Sequence, residues 1–170
     1  MQKNKPLFIV CFSAILIGLE IVLNRFCSIN TMGLKIGFAF IPPTLAAIMY
    51  GPLAGATVYA VSDFLGAILF PIGTYHPGFT VCAAVMGIVS GLMLYRKDKV
   101  PLFPNIIFTV FINCILIGLF INTFWVSMLY GSKTYLGWFV YRLSEYAVMV
   151  PVQIAVIPLL INISKRIKLL

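Results

Sequence analysis

The sequence predicts an all-α integral membrane protein with six transmembrane helices and both termini in the cytoplasm. The 170-residue chain is 62% hydrophobic and only 9% charged, whereas soluble domains average about 25% charged residues. Its mean hydropathy is +1.07, and its apolar runs approach or exceed the roughly 18 residues that cross a bilayer. The net charge of +8 comes mostly from residues at helix ends, which indicates membrane orientation rather than nucleic-acid binding.

Six apolar spans follow one another in a single domain, residues 1–170. The first has a basic start but is too long for a signal peptide and lacks an A-x-A cleavage site. The second carries Pro42-Pro43 and is therefore short or kinked, and Gly51-Pro52 forms a tight turn before the third. The predicted spans are residues 6–24, 36–50, 53–70, 79–95, 103–129 and 136–163.

Loop charge predicts the orientation of these spans, because cytoplasmic loops are enriched in Lys and Arg. Basic residues on the predicted cytoplasmic side are Lys3, Lys5, Arg96, Lys97, Lys99, Lys165, Arg166 and Lys168. Those on the opposite side are Arg25, Lys35, Lys133 and, at most, Arg142. Both termini are therefore expected in the cytoplasm.

Polar residues that orientation does not explain gather in the outer half of the predicted bundle. They are Glu20, Asp63, Asn122, Arg142 and Glu145 in helices, with Tyr75 and His76 in the outer loop. Charges inside a membrane are costly unless paired or hydrated, so they are functional candidates. Together they suit an anionic, aromatic solute that arrives from outside.

Each of these residues also has a structural interpretation. Arg142 and Glu145 are three positions apart on one helix and could neutralise each other. Asp63 and Asn122 could form hydrogen bonds between helices. The two tryptophans, Trp125 and Trp138, could belong to the interfacial aromatic belt.

The stretch FPIGTYHPGFT, residues 70–80, joins the third and fourth spans and holds the only histidine of the chain. Its prolines and glycines predict a rigid outer loop that turns Tyr75, His76 and Phe79 toward the polar cluster. With one histidine, no metal site of the Cys/His type is expected.

Motifs of enzymes are missing from the sequence. There is no phosphate-binding G-x-x-x-x-G-K-[ST], no G-x-S-x-G and no H-E-x-x-H. The four cysteines form no C-x-x-C pair, and most lie inside apolar runs, as core residues do. We therefore predict a protein that is not an enzyme and needs no cofactor or metal. An ion-coupled carrier, with Asp63 or Glu145 as the titrating group, and a purely structural membrane protein remain alternatives.

Small residues four apart occur in two places, Ala14-x-x-x-Gly18 in the first span and GPLAGA at residues 51–56. Such spacing lets another helix approach closely. The first could dock a partner or pack inside the chain's own bundle.

Three stretches resemble a known family. They are LKIGFAFIPPTLAAIMYGPLAGATVYAVSDFLGAILFPIGTYHPGFTVCAAVMGIVSGLMLY, INTFWVSMLYG and YRLSEYAVMVPVQ. Their G-P-x-x-G, P-x-G-x-Y-x-P-G-F-T and N-T-x-W patterns together resemble the folate-specific substrate-binding subunit (S component) of energy-coupling factor (ECF) transporters. The resemblance extends over essentially the whole chain. An S component for another vitamin, of the riboflavin or thiamin type, is the nearest alternative.

The resemblance implies a six-helix S-component bundle that captures folate with high affinity on the outside. It also implies a transmembrane coupling (T) component and two cytoplasmic ATPases, and a subunit that tips over in the membrane to deliver its ligand. Helix-1 motifs of the A-x-x-x-A type dock such subunits on the T component. Here Ala14 matches that motif, and Gly18 departs from it.

Folate chemistry assigns roles to the polar cluster. A carboxylate, Asp63 or Glu145, could read the pterin edge, and Arg25, Lys35 or Arg142 could pair with the glutamate tail. Tyr75, Phe79 and Trp125 are stacking candidates, and the segment 25–35 is expected to be a flexible gate. The complete set of predicted binding residues is Arg25, Lys35, Asp63, Gly73, Tyr75, His76, Phe79, Asn122, Trp125, Arg142 and Glu145.

Overall fold

The fold is a bundle of helices with one short β-hairpin, seen in a computed structural model that describes residues 5–31, 34–71, 73–95, 102–131 and 134–169. The α-helices are α1 (Lys5–Arg25), α2 (Ile41–Tyr50), α3 (Pro52–Leu69), α4 (Pro77–Leu94), α5 (Leu102–Val110), α6 (Asn122–Tyr130) and α7 (Tyr135–Leu169). A π-helix, Phe111–Ile121, joins α5 to α6. Strands β1 (Ile29–Thr31) and β2 (Leu34–Ile36) pair antiparallel.

Five helical stretches in the described part of the chain are long and apolar enough to cross a membrane, which confirms the predicted class. They are Leu7–Arg25, Pro52–Leu69, Pro77–Leu94, Phe103–Tyr130 and Tyr135–Ile167. The second predicted span is the exception, since α2 has only 10 residues. At 1.5 Å per residue it reaches roughly 15 Å, about half of the hydrocarbon core.

The predicted start of α2 at residue 36 is wrong by five residues. Residues up to Ile36 belong to β2, and α2 begins at Ile41. Pro42 and Pro43 therefore lie in its first turn, where the missing backbone N–H groups have no intrahelical partner anyway. The prolines start the helix instead of kinking it.

The fifth predicted span is one continuous helical stretch, but it is not α-helical throughout. Its middle, Phe111–Ile121, is a π-helix of 11 residues, wider than an α-helix and typical of functional sites. The hydropathy of this stretch does not indicate the change of helix type, because hydropathy depends on composition and not on the number of residues per turn.

Helices α3 and α4 pack almost backbone to backbone. A methyl group added at Gly87 on α4 would lie 2.5 Å from the backbone oxygen of Gly55 and 2.5 Å from the backbone nitrogen of Ala56, both on α3. One turn further along α4, Gly91 meets the backbone of Pro52 at the start of α3. The GPLAGA motif thus serves packing within this chain, where close approach requires the absence of a side chain.

Candidate functional site

One cavity of about 670 Å³ opens among α1, β2, the residues just before α2, α3, α4, the π-helix, α6 and α7. Its volume is typical of sites for small organic ligands. The predicted binding residues that line it are Arg25, Lys35, Gly73, Asp63, Tyr75, Phe79, Asn122, Arg142 and Glu145. His76 and Trp125 are not among the lining residues.

Helix α1 brings a carboxylate and a cation to the cavity. Glu20 and Asn24 are buried one turn apart, and Asn24 Nδ2 donates a 2.6 Å hydrogen bond to Glu20 Oε1. Arg25 follows at the end of the helix, and its guanidinium lies against Gly66 of α3. Neither Glu20 nor Asn24 is in the predicted binding set, although the sequence marks Glu20 as an intramembrane charge.

Arg142 on α7 is buried, and each of its three guanidinium nitrogens donates a hydrogen bond. Its Nε donates to Glu145 Oε2 at 3.3 Å, Nη1 to Thr123 Oγ1 at 3.2 Å, and Nη2 to Tyr146 Oη at 2.9 Å. This geometry favours the structural interpretation of the pair, in which Arg142 and Glu145 neutralise each other.

Asp63 holds the outer loop through a relay of two hydroxyl groups. Thr80 Oγ1 donates a 2.7 Å hydrogen bond to Asp63 Oδ2. Because a hydroxyl has only one proton to donate, the Tyr75 hydroxyl is the donor in the 3.0 Å hydrogen bond between Tyr75 Oη and Thr80 Oγ1. The Tyr75 ring also meets Phe64 edge to face, with centroids 6.0 Å apart. The relay fixes Tyr75 at the cavity, and Thr80 is a member that the sequence does not mark.

His76 shapes the start of α4 instead of lining the cavity. Its Nδ1 accepts a 3.0 Å hydrogen bond from the backbone N–H of Gly78, which caps the helix. Its ring stacks on Trp125, with centroids 4.6 Å apart and planes 27° apart. The two rings brace α4 against α6, and the predicted contact of His76 and Trp125 with a ligand stays a prediction.

Lys35 in β2 adds a second cation to the cavity beside Arg25. Burial lowers the pKa of the Lys35 ammonium, and the nearby Arg25 guanidinium lowers it further, while the carboxylates of Glu20, Asp63 and Glu145 oppose the shift. Two adjacent cations in a poorly hydrated site favour an anion between them.

The described residues of the segment 25–35 include β1 and the first two residues of β2, and Asn30 pairs with Lys35 and Thr31 with Leu34. Strand β2 packs against α7. The role of this segment as a flexible gate stays a prediction.

The cavity is also lined by residues that sequence reasoning missed, among them Tyr59, Asn113, Met149 and Gln153. Tyr59 Oη lies 3.0 Å from Thr44 Oγ1, and Asn113 Nδ2 donates to Ser90 Oγ at 2.9 Å. Single polar residues in apolar runs were the available signal for Asn113 and Gln153. For Tyr59 there was none, because the helix face that meets the cavity depends on packing.

The described residues contain no group of three or more His, Cys, Asp or Glu side chains that could hold a metal ion. The cavity is instead a polar site with cations, carboxylates and aromatic rings, suited to an organic ligand that carries negative charge and a flat ring.

Residues 10–161 match the family model described as "ECF transporter, substrate-specific component". The chain belongs to this family. Among curated relatives, the folate transporter FolT of Clostridium novyi (strain NT) is 40% identical over 153 residues, which cover 90% of this chain and 87% of that protein. FolT of Leuconostoc mesenteroides is 27% identical over 153 residues, with 88% and 82% covered.

A solved structure, "Crystal structure of FolT bound with folic acid", superposes with a TM-score of 0.82 at 29% identity, covering 95% of this chain and 94% of that one. An ECF substrate-specific component is part of a transporter and not an enzyme, as predicted. Its family and its apolar helices make this chain a multi-pass protein of the cell membrane.

Proposed function

We propose that this ECF substrate-specific component binds folate with high affinity on the outer side of the cell membrane. The observation that carries the proposal is the fold shared, at a TM-score of 0.82 and 29% identity, with a FolT crystallised with folic acid. The cavity supports it, because it combines three cations, three carboxylates and aromatic rings around about 670 Å³.

Within the cavity, the glutamate tail of folate is assigned to Arg25 and Lys35. Both carry charges that no ion pair with a described residue neutralises within 4.0 Å, whereas the nitrogens of Arg142 are bonded to Glu145, Thr123 and Tyr146. Two tail carboxylates beside two cations form charge-assisted hydrogen bonds, the stronger class.

The pterin ring is assigned to the carboxylates and the aromatic faces. Its amino and ring N–H groups are donors, which a carboxylate accepts in pairs. Asp63 and Glu145 keep this role as alternatives, each with one oxygen already bonded, to Thr80 and to Arg142 respectively. Tyr75 and Phe79 line the same cavity and offer faces for stacking.

Delivery of folate depends on partners in this proposal: a T component in the membrane and two cytoplasmic ATPases that supply the energy. Ala14 and Gly18 on α1 form the proposed docking site. Both are exposed, and a methyl group at Gly18 would meet no described atom within 4 Å. The exposure argues against packing of this motif inside the chain's own bundle and leaves it open to another helix.

Titration of the purified chain with folate tests the proposal. The only tryptophans are Trp125 and Trp138, and Trp125 is next in sequence to Val126, which lines the cavity. Folate is expected to quench this fluorescence saturably at one ligand per chain, whereas riboflavin and thiamin leave it unchanged. Saturation by another vitamin would reassign the ligand, and no response to any of them would contradict the proposal.

Cys27 offers a test of the proposed orientation, because it is exposed just beyond the end of α1. In intact cells, a membrane-impermeant maleimide is expected to label the chain, and a Cys27→Ser variant is expected to lose the label. The control is sound because Cys82 and Cys114 are buried and Cys11 lies inside the first span. Labelling that needs permeabilised cells would place this end of α1 in the cytoplasm instead.

A further inference from the structure

Gly66 on α3 leaves a space that the Arg25 side chain fills. A methyl group at position 66 would lie 3.2 Å from Arg25 Nε and 3.3 Å from Arg25 Nη2, and its next neighbour, at 3.7 Å, is Arg25 Cζ. The guanidinium therefore lies directly against the bare backbone of α3. Nε is buried there and has no hydrogen-bond partner among the described residues.

The space at Gly66 is filled by a side chain, like the space at Gly118, which faces Tyr146, but at Gly66 that side chain is a cation. At Gly55, Gly87 and Gly91 the nearest atoms belong to neighbouring helices, mostly to their backbones. At Gly66 the three nearest atoms all belong to one charged side chain. The absent side chain therefore makes room for a cation rather than for a helix.

Confinement of this guanidinium affects how it can bind an anion. A free arginine side chain loses up to about 2 kcal/mol of rotamer entropy when it is fixed. Against Gly66 the guanidinium is already held at the cavity that Arg25, Lys35 and Asp63 line. A ligand carboxylate thus meets a pre-positioned fork of donors, which lowers the entropic cost of binding.

We propose that Gly66 is a positioning residue that sets the affinity for the carboxylate tail of the ligand by seating Arg25. This inference rests on the proposed binding of folate. A larger side chain at position 66 displaces the guanidinium from α3, whereas the ring-binding side of the cavity, around Asp63, Tyr75 and Phe79, is left in place.

The test compares folate with pteroic acid amide, which has the same ring system but carries no carboxylate. Wild type and the variants Gly66→Val, Arg25→Ala and Gly66→Val/Arg25→Ala are titrated with both ligands. Gly66→Val and Arg25→Ala are each expected to weaken folate binding about tenfold or more, the loss of a charge-assisted hydrogen bond, and to change binding of the amide less than about twofold. The double variant is expected to bind folate no more weakly than Arg25→Ala alone, because both changes remove the same interaction.

Two further variants separate positioning from folding. Gly66→Ala displaces Arg25 by only a few tenths of an ångström and is expected to give a smaller loss in the same direction. Val61→Leu adds bulk to α3 at an exposed position and is expected to bind both ligands as wild type does.

Parallel loss of affinity for folate and for pteroic acid amide in Gly66→Val, or additive losses in the double variant, would overturn the inference. Equal binding of the two ligands by wild type would overturn it as well, because the carboxylate tail would then contribute nothing although folate still binds. Failure of wild type to bind folate at all would instead remove the proposed function itself.

Discussion

Replacing Arg142 by alanine is expected to destabilise the protein by about 3–5 kcal/mol, the cost of leaving one partner of a buried ion pair without the other. The residue is buried, and its guanidinium bonds Glu145, Thr123 and Tyr146. Its loss strands the Glu145 carboxylate and two hydroxyl groups in a poorly hydrated interior. Thermal unfolding of the purified chain in detergent measures the effect.

A double variant provides the matched control for this prediction. Arg142→Ala/Glu145→Ala removes the stranded charge together with its partner, so it is expected to be more stable than Arg142→Ala alone. If Arg142→Ala unfolded like wild type and lost only folate affinity, Arg142 would be a ligand contact, as the sequence suggested. A double variant no more stable than Arg142→Ala would also contradict the ion-pair interpretation.

The prediction of membrane-spanning helices was confirmed because residues that cross a membrane must be apolar, and hydropathy measures that property directly from the sequence. Each long apolar run became a helix, since backbone groups in lipid must be bonded within their own segment. Finer features depend on details that hydropathy averages away. The start of α2 was readable, because Pro42 and Pro43 favour a first turn, but hydropathy placed it at residue 36.

The β-hairpin and the π-helix were missed for different reasons. Strands of three residues, such as Ile29–Thr31, are too short for an alternating pattern to be recognised in a polar loop. The π-helix Phe111–Ile121 has the composition of any apolar helix. Its sequence therefore does not distinguish it from an α-helix.

The candidate site could be predicted in outline from where unexplained polar residues fall along the helices. Depth along a helix is set by residue number, so Asp63, Arg142 and Glu145 were expected together in the outer half of the bundle, and all three line one cavity. Their bonds could not be predicted, because partners such as Thr80 for Asp63 and Thr123 for Arg142 lie 17 and 19 residues away in sequence. Which helices meet, and in which rotation, is a property of packing. Gly66 carries no sequence signal at all, since its role is an empty space.

Replacing Gly87 by alanine is expected to have the second large effect, because the added methyl group meets backbone and not a movable side chain. It would lie 2.5 Å from Gly55 O and 2.5 Å from Ala56 N, well inside van der Waals contact. Helices α3 and α4 must then separate, at a cost of about 3 kcal/mol, the upper end of typical overpacking losses. The midpoint of thermal unfolding in detergent measures it.

Gly18→Ala is the matched control for Gly87→Ala, since it makes the same change in a transmembrane helix where the methyl group meets no described atom within 4 Å. It is expected to leave stability unchanged or to raise it by up to about 1 kcal/mol, the helix propensity of alanine over glycine. Equal unfolding midpoints for the two variants would contradict the close α3–α4 contact.

Separation of α3 from α4 also reaches the ligand cavity. The 2.7 Å hydrogen bond from Thr80 on α4 to Asp63 on α3 holds Tyr75 in place. Gly87→Ala is therefore expected to weaken the binding of folate and of pteroic acid amide alike, because Tyr75 and Asp63 lie on the ring-binding side of the site. That pattern is the opposite of the one expected at Gly66, where only the ligand with a carboxylate tail loses affinity. Variants at Gly87 and Gly66 thus distinguish two effects. The first changes the binding of the ligand's ring, and the second changes the position of the Arg25 cation that binds its tail.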